Sequence, residues 1–276
     1  MAAASLSATI VAYRTDARVL RCALHSLARA IEEARAAGLL DAVTVHIVDN
    51  SPDDARAAAA QALRAWPPAA GELTLLAGQG NVGYGRANNL VLPDLASDLH
   101  LVMNPDVELA PDALRAGLQA LADHPDVGLV APAVQGEDGA RQYLCRRYPS
   151  VWVLFLRGFA PQALRERFRG AIERYEMRDL IGDTILTGVP LASGCFMLLR
   201  TPLFARLGGF DPRYFMYFED YDLSLRAGRE ADVAYVPQAR ITHHGGEAAG
   251  KGMRHVAWFV ASAWRFFSRH GWRLRS

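Results

Sequence analysis

Five short stretches of the chain carry side chains suited to chemistry. Asp49-Asn50-Ser51 closes an apolar run. A carboxylate there can accept the imide N–H of a pyrimidine while the asparagine amide bonds nearby oxygens; a helix cap at Asp49 or Ser51 also accounts for the motif. In GQGNVGYGRANN, Gly83, Gly85, Asn81 and Asn88 sit among further glycines ahead of a helix. Glycines let backbone N–H groups approach an oxyanion, and a helix N-terminus adds a favourable dipole. A ligand-free glycine turn reads the same way, since no GK[ST] follows and GxGxxG is matched only loosely. Asn104-Pro105-Asp106 follows an apolar run directly. One carboxylate with diphosphate oxygens and waters is a usual way to hold Mg²⁺ or Mn²⁺, and a helix cap before Pro111 is the alternative. Glu219, Asp220 and Asp222 stand behind Phe215, Tyr217 and Phe218. Acids in a first helical turn suit the macrodipole, and carboxylates beside aromatics also suit a general base whose proton affinity burial tunes. His243-His244-Gly245-Gly246 completes the set; adjacent histidines point apart, so at most one would ligate a metal.

The elements around these motifs follow two hydrophobic periods. Residues 8–12, 43–48, 73–77 and 99–103 read as strands, and VTVHIV at 43–48 is apolar enough to be buried on both sheet faces. Asp16 is a natural N-cap for a helix carried by Leu20, Leu24, Leu27 and Ile31 and stopped by Gly38. A second helix is expected from Asp53 to Pro67-Pro68, and a short one from Gly85 to about Leu92. Strand alternating with helix predicts a parallel sheet covered by helices. Each of the four strands is followed at once by polar residues: Tyr13-Arg14, Asp49-Asn50, Gly78 to Gly83, and Asn104 to Asp106. In open α/β sheets ligands bind outside the carboxyl ends of strands, so these loops point to one site.

The second half patterns less regularly. Leu114, Leu118 and Leu121 predict a helix, and 127–130, 195–199 and 233–236 predict strands. Residues 132–190 mix aromatics with arginines without a clear period. The tail, 251–275, interleaves Arg254, Arg265, Arg269, Arg273 and Arg275 with tryptophans and phenylalanines. Its Val256, Phe259, Val260, Ala263 and Phe267 recur at helical spacing, which predicts a helix packed on its own domain. A cationic, tryptophan-bearing rim would also favour anionic lipid.

Thirty basic residues against 29 acidic ones give a net charge of +1, which argues against a polycationic nucleic-acid binder. Three cysteines without a CxxC pair argue against a disulfide framework or thiolate zinc. No basic residue precedes the short apolar stretch of MAAASLSATIVAY, so neither a signal peptide nor a spanning helix is expected, and a cytoplasmic location follows.

In order, IVAYRTD, IVDNSPDD, GQGNVGYGRANN, LVMNPDVEL, GCFMLLR, GGFDPRYFMYFEDYDLSLR and HHGG resemble the inverting family 2 glycosyltransferases, especially their bacterial rhamnosyltransferase-like branch. The resemblance implies an α/β fold of GT-A type, a mostly parallel nucleotide-binding sheet covered by helices. It divides the chain into a catalytic domain at 1–250, with a nucleotide-sugar half (about 1–130) and an acceptor half (about 131–250), and a basic aromatic helix at 251–276. It implies that Asp49 reads the nucleobase, that Ala12, Tyr13, Arg14, Asn50, Asn81, Gly83, Gly85, Asn88, Asn104 and Asp106 line the donor nucleotide, and that Asp220, beside Glu219, is the catalytic base. Asn104 replaces the first aspartate of the family's DxD, so Asp106 alone supplies a charged ligand to a divalent cation, Mg²⁺ or Mn²⁺, with His243 completing the site and His244 its rival. The implied donor is a dTDP-sugar, most readily dTDP-rhamnose, and the acceptor a glycan or lipid-linked glycan of cell-surface polysaccharide synthesis, at the inner face of the cytoplasmic membrane. Two other classes share the layout. A nucleotide-sugar pyrophosphorylase needs glycines directly after the first strand, which AYRTDARVL lacks. A non-catalytic sugar-nucleotide binding protein would not need Asp106 and Asp220 together.

Overall fold

Period-two alternation builds the sheet, and a computed structural model describes it over residues 3–52, 60–61, 63–245 and 252–275. Its strands are β1 (Ala4–Ala12), β2 (Leu40–Asp49), β3 (Glu72–Ala77), β4 (Leu99–Met103), β5 (Val107–Leu109), β6 (Val127–Gln135), β7 (Arg141–Gln142), β8 (Phe196–Arg200) and β9 (Asp232–His243). They form one sheet in the order β3-β2-β1-β4-β8-β6-β9-β5, with β7 paired to β6. β1 to β4 are mutually parallel, as are β6 and β9, while β8, β5 and β7 run against their neighbours. The sheet is therefore mixed and mostly parallel.

Neighbouring residues of one strand serve two cores. Leu101, Met103, Phe196 and Leu198 pack with Leu20, Leu24, Leu27 and Ile31 of the Ala17–Ala36 helix and with Leu114, Leu118 and Leu121 of the Ala113–Asp123 helix. Val102, Met197 and Leu199 face the other way, onto Phe204, Phe210 and Leu223. Asp16 caps the first helix by accepting the Arg18 N–H at 2.7 Å, and Gly38 leaves it at φ +70°.

Four expectations change. The last strand runs to His243, well beyond 236, because it resumes pairing with β6 after a register shift at Pro132/Ala133. The helix expected after Gly85 starts at Tyr84, ends at Asn88 and continues as a 3-10 turn to Asp94. The stretch 132–190 contains three short helices, Val151–Gly158, Gln162–Arg167 and Arg169–Tyr175. The tail helix, Met253–His270, packs through Phe259, Ser262, Phe266 and Phe267, whereas Val256 and Val260 are exposed. Its buried face is fixed by the aromatic turn before Glu219, where Ser262 Oγ donates to the Met216 carbonyl at 2.8 Å. Arg269 is not a free rim residue, because it pairs with Asp211 and lies 3.5 Å from Asp222. Most of the helix expected after Asp53, with Gly246 and Lys251, lies outside the described residues. Among the described residues no helix is long and apolar enough to cross a membrane.

Candidate active site

Pairing register brings the motifs to one sheet edge. Ala12 lies beside Asp49 and Asp49 beside Ala77, the Asn104 N–H donates to the Cys195 carbonyl at 2.9 Å, and Val107 lies beside His243. The Ala12 carbonyl accepts the Asn50 N–H at 2.8 Å. Arg14 takes a left-handed conformation, φ 50°, and its N–H donates to Ser51 Oγ at 2.7 Å, which ties the exposed Tyr13-Arg14 turn to the end of β2.

Asp49 is buried. Its Oδ1 accepts the Ser51 N–H at 2.9 Å, and its Oδ2 accepts no hydrogen bond among the described residues. Gln79 Nε2 donates to the Asp49 carbonyl at 2.9 Å and to Asn50 Oδ1 at 3.2 Å, while Asn50 Nδ2 donates to the Gly83 carbonyl at 3.2 Å. Asn81 Oδ1 accepts the Gly83 N–H at 3.1 Å. Gly83 and Gly85 are accounted for by close packing: a Cβ on Gly83 would lie 2.4 Å from the Phe215 carbonyl oxygen, and one on Gly85 2.9 Å from Phe210 Cβ. Asn88 is tucked beneath the loop, its Nδ2 donating to the Tyr84 carbonyl at 3.0 Å and its Oδ1 left without a partner.

Asp220 projects into this edge from the start of the Glu219–Ala227 helix. Its two oxygens accept the N–H groups of Gly194 and Tyr221, each at 2.9 Å. Burial pushes its carboxyl up, against the downward pull of those two N–H groups and of the Arg146 charge. Glu219 is more deeply buried and its Oε2 has no hydrogen-bond partner. Burial, reinforced by the neighbouring Asp220 charge, pushes it up to about 8. Asp222, the third acid of the run, does different work. Its oxygens take Arg226 at 2.7 Å and His270 at 2.8 Å, and those partners hold it low against the opposing effect of burial.

Asp106 Oδ1 is likewise buried and accepts no hydrogen bond among the described residues, with His243 Nε2 3.6 Å away. Gln142 Oε1 meets His243 Nδ1 at 3.3 Å, the kind of contact that orients a ligating imidazole. A Cβ on Gly245 would come within 2.1 Å of Asp106 Oδ2, so the glycine keeps that carboxylate accessible. His244 turns instead to Glu137 at 2.6 Å and Glu108 at 2.9 Å, which raise its affinity for a proton despite partial burial. No group of three metal-ligating side chains occurs among the described residues. Asp106 and His243 thus suit a cation whose remaining ligands come from a bound diphosphate and water.

Sequence motifs did not point to four further participants. Gln79 stitches the glycine loop to Asp49; Gly194 supplies a donor to Asp220; Tyr84 Oη donates to the Gly194 carbonyl at 2.7 Å; Arg146 acts on Asp220 electrostatically. Gln79 and Tyr84 lie inside the quoted glycine stretch and Gly194 opens the quoted GCFMLLR, whereas Arg146 carries no local signal.

A family model described as Glycosyltransferase like family 2 matches residues 3–259. The N-acetylglucosaminyl-diphospho-decaprenol L-rhamnosyltransferase of Mycobacterium tuberculosis is 31% identical over 252 residues, covering 83% of this chain and 76% of that protein. Rhamnosyltransferase WbbL of Escherichia coli K12 is 26% identical over 206 residues, 69% of this chain and 72% of that protein. Among solved structures, GalNAc-T7 with UDP, GalNAc and Mn²⁺ matches 96% of this chain with TM-score 0.63 at 13% identity, and this chain spans about half (48%) of it. The mannosyltransferase PcManGT of Pyrobaculum calidifontis, with GDP-Man and Mn²⁺, matches 95% with TM-score 0.57 at 18% identity, and 65% of that chain is spanned. These structural likenesses are of fold, the GT-A arrangement.

Burial of Glu219 has a stability consequence. A carboxyl at about 8 when folded, against about 4.5 when unfolded, stays protonated in the native state while the unfolded chain ionises. Its contribution is fully present below pH 4.5 and is lost as pH rises toward 8. Glu219→Gln, which cannot ionise, should flatten this decline and raise stability at pH 8 by on the order of 2 kcal/mol, read by thermal melting across pH 5 to 8. A variant that declines as steeply as the parent would contradict it.

Proposed function

The chain belongs to glycosyltransferase family 2 and is a glycosyltransferase, and we propose that it transfers a sugar from a dTDP-sugar donor, rhamnose from dTDP-rhamnose, with inversion, onto a lipid-linked glycan. The carrying observation is the clustering of orphaned polar atoms. Asp49 Oδ2, Asn88 Oδ1, Asp106 Oδ1 and Glu219 Oε2 are four of the five buried side-chain atoms lacking a hydrogen bond among the described residues, and all lie at or beneath this sheet edge. Unsatisfied buried acceptors are costly and concentrate where a ligand completes them. The rhamnosyltransferase names of the relatives support the sugar, and Asp49 Oδ2 suits the imide N–H of thymine.

Residues 1–130 form the donor half in this reading, about 131–250 the acceptor half, and 251–276 the supporting tail. Asp49 fixes the base, while Ala12, Tyr13, Arg14, Asn50, Asn81, Gly83, Gly85, Asn88 and Asn104 shape the nucleotide's bed. Asp220 takes the proton of the acceptor hydroxyl. The hydroxyl oxygen then bonds to the anomeric carbon as the bond to the diphosphate breaks on the opposite face, and the nucleoside diphosphate leaves with that electron pair. Glu219, held protonated, lends no competing charge. Asp106 and His243 would hold a divalent cation, Mg²⁺ or Mn²⁺, whose charge offsets that of the departing diphosphate.

Tail exposure supports peripheral association with an anionic membrane. Met253, Val260, Trp264, Trp272 and Leu274 are exposed, and residues 252–275 hold five arginines and no acid. In this reading the enzyme works at the inner face of the cytoplasmic membrane.

Three measurements test the reading. Asp220→Asn keeps shape but accepts no proton, so transfer should fall about 10²- to 10⁴-fold with donor affinity nearly unchanged; a variant as active as the parent rejects the assignment. Asp106→Ala should abolish the response of donor turnover to added Mn²⁺ while melting normally, and an undiminished response would exclude this carboxylate as a ligand. Replacing Val260 and Trp264 with serine should reduce sedimentation with phosphatidylglycerol vesicles at low salt. If both proteins pellet equally, or neither does, the tail serves packing only.

A further inference from the structure

Several arginines between 141 and 183 each take a carboxylate of their own. Arg147 pairs with Asp179 at 2.7 Å, Arg141 with Asp183 at 3.3 Å and Arg169 with Glu173 at 2.7 Å. Arg146, Arg157 and Arg178 instead converge on the single carboxylate of Glu176, at 3.4, 3.1 and 2.6 Å. Arg178 also comes within 4.0 Å of Glu173, which Arg169 already occupies. Counted with Arg169 and Glu173, four guanidinium groups face two carboxylates in this cluster, and Arg146 also feels the Asp220 charge. Arg146 is buried, as is Glu176, and gathering like charges in such a place is costly unless an anion joins them.

The cluster sits between the reacting edge and the chain's apolar surface. Arg146 and Arg157 stand 5.4 and 5.7 Å from the centroid of the Tyr175 ring. The Tyr175 hydroxyl is 2.9 Å from that of Tyr221, the residue after Asp220. On the other side, the helix that carries Arg157 exposes Val151 and Phe155, with Phe159 just beyond it, and Phe159 meets Phe259 of the tail helix. The side chains of Arg157 and Arg178 keep 34% and 41% of their surface open to solvent, so both remain reachable.

We propose that Arg146, Arg157 and Arg178 bind the diphosphate of the acceptor. This rests on the glycosyltransferase reading above and deepens it. A sugar-diphospho-lipid carries one negative charge on each phosphate, which answers the excess of guanidinium groups over carboxylates in this cluster. Guanidinium forks engage phosphate oxygens in pairs and are weakly hydrated, so they give up water readily on binding. The order along the surface is also the order along such an acceptor. Its lipid meets Phe155, Phe159 and the tail, its diphosphate meets the arginines, and its sugar hydroxyl reaches Asp220.

The test is calorimetric titration of geranyl diphosphate into the full chain preloaded with dTDP and Mg²⁺, so that the donor's diphosphate site is filled. Geranyl diphosphate should bind with salt-sensitive affinity while geraniol does not. Arg157→Gln and Arg178→Gln, both partly exposed, should each weaken binding by about tenfold or more, and Arg147→Gln, matched by Asp179, should not. Equal affinity across these variants, absence of binding to the wild type, or displacement of dTDP by geranyl diphosphate overturns the proposal. Should the variants melt early, loss of wild-type affinity on raising salt supports it and a salt-independent affinity overturns it. Geranyl diphosphate binding is read whether or not dTDP binds. Failure of dTDP alone therefore counts against the dTDP donor and leaves the arginine site standing.

Discussion

The site depends on the contact between Gly83-Tyr84 and Phe215. The Tyr84 N–H donates to the Phe215 carbonyl at 3.1 Å, an approach that any side chain at position 83 would block. Around it, Asn89 brackets Phe210, its Oδ1 accepting the Phe210 N–H at 2.9 Å and its Nδ2 donating to the Phe210 carbonyl at 2.7 Å. Tyr84 Oη reaches the Gly194 carbonyl, and the Gly194 N–H reaches Asp220. One seam therefore joins the loop that reaches back to Asp49 with the turn that presents Asp220. Without it, the glycine loop and the turn that presents Asp220 would lose their mutual placement, and misplacement of reacting groups by about 1 Å costs on the order of a hundredfold in rate.

That turn is strained, and the tail helix holds it. Tyr217 and Phe218 adopt φ of 71° and 65°, a left-handed conformation costing roughly 1–2 kcal/mol per residue for side chains of this size. Phe218 is fixed against Phe259, Phe266 and Tyr221 with ring centroids 5.2 to 5.5 Å apart, and Tyr217 Oη meets His255 Nδ1 at 2.8 Å. From this turn the helix points Glu219 inward and Asp220 toward the edge. Neighbours in sequence thus meet different surroundings: Glu219 loses its charge to burial, and Asp220 keeps two N–H donors and the field of Arg146. The tail also reaches Asp222 through His270, so its aromatic and ionic contacts both support the turn that presents Asp220.

What sequence could reveal was local. Short apolar strand runs, the Asp16 cap and the polar residues at strand ends are legible because each is encoded within a few neighbours. His243 and His244 were not separable in sequence, since only the distant Glu108 and Glu137 draw His244 away from Asp106. Sequence period does not single out the buried face of the tail, because Val256 and Val260 repeat as regularly as the packed Phe259, Ala263 and Phe267, and partner shape decides between them. Short helices between 151 and 175 give too few turns for a period to emerge, and ion pairs and ring contacts hold them. Arg146 became visible only when folding brought it to Glu176 and Asp220.

The proposed reaction is a single displacement at the anomeric carbon, with Asp220 removing the acceptor proton and a nucleoside diphosphate leaving. The anomeric configuration of the product, read by NMR couplings after reaction with a donor of defined configuration, tests it most directly. The account predicts a glycoside of inverted configuration. A product with retained configuration would contradict it.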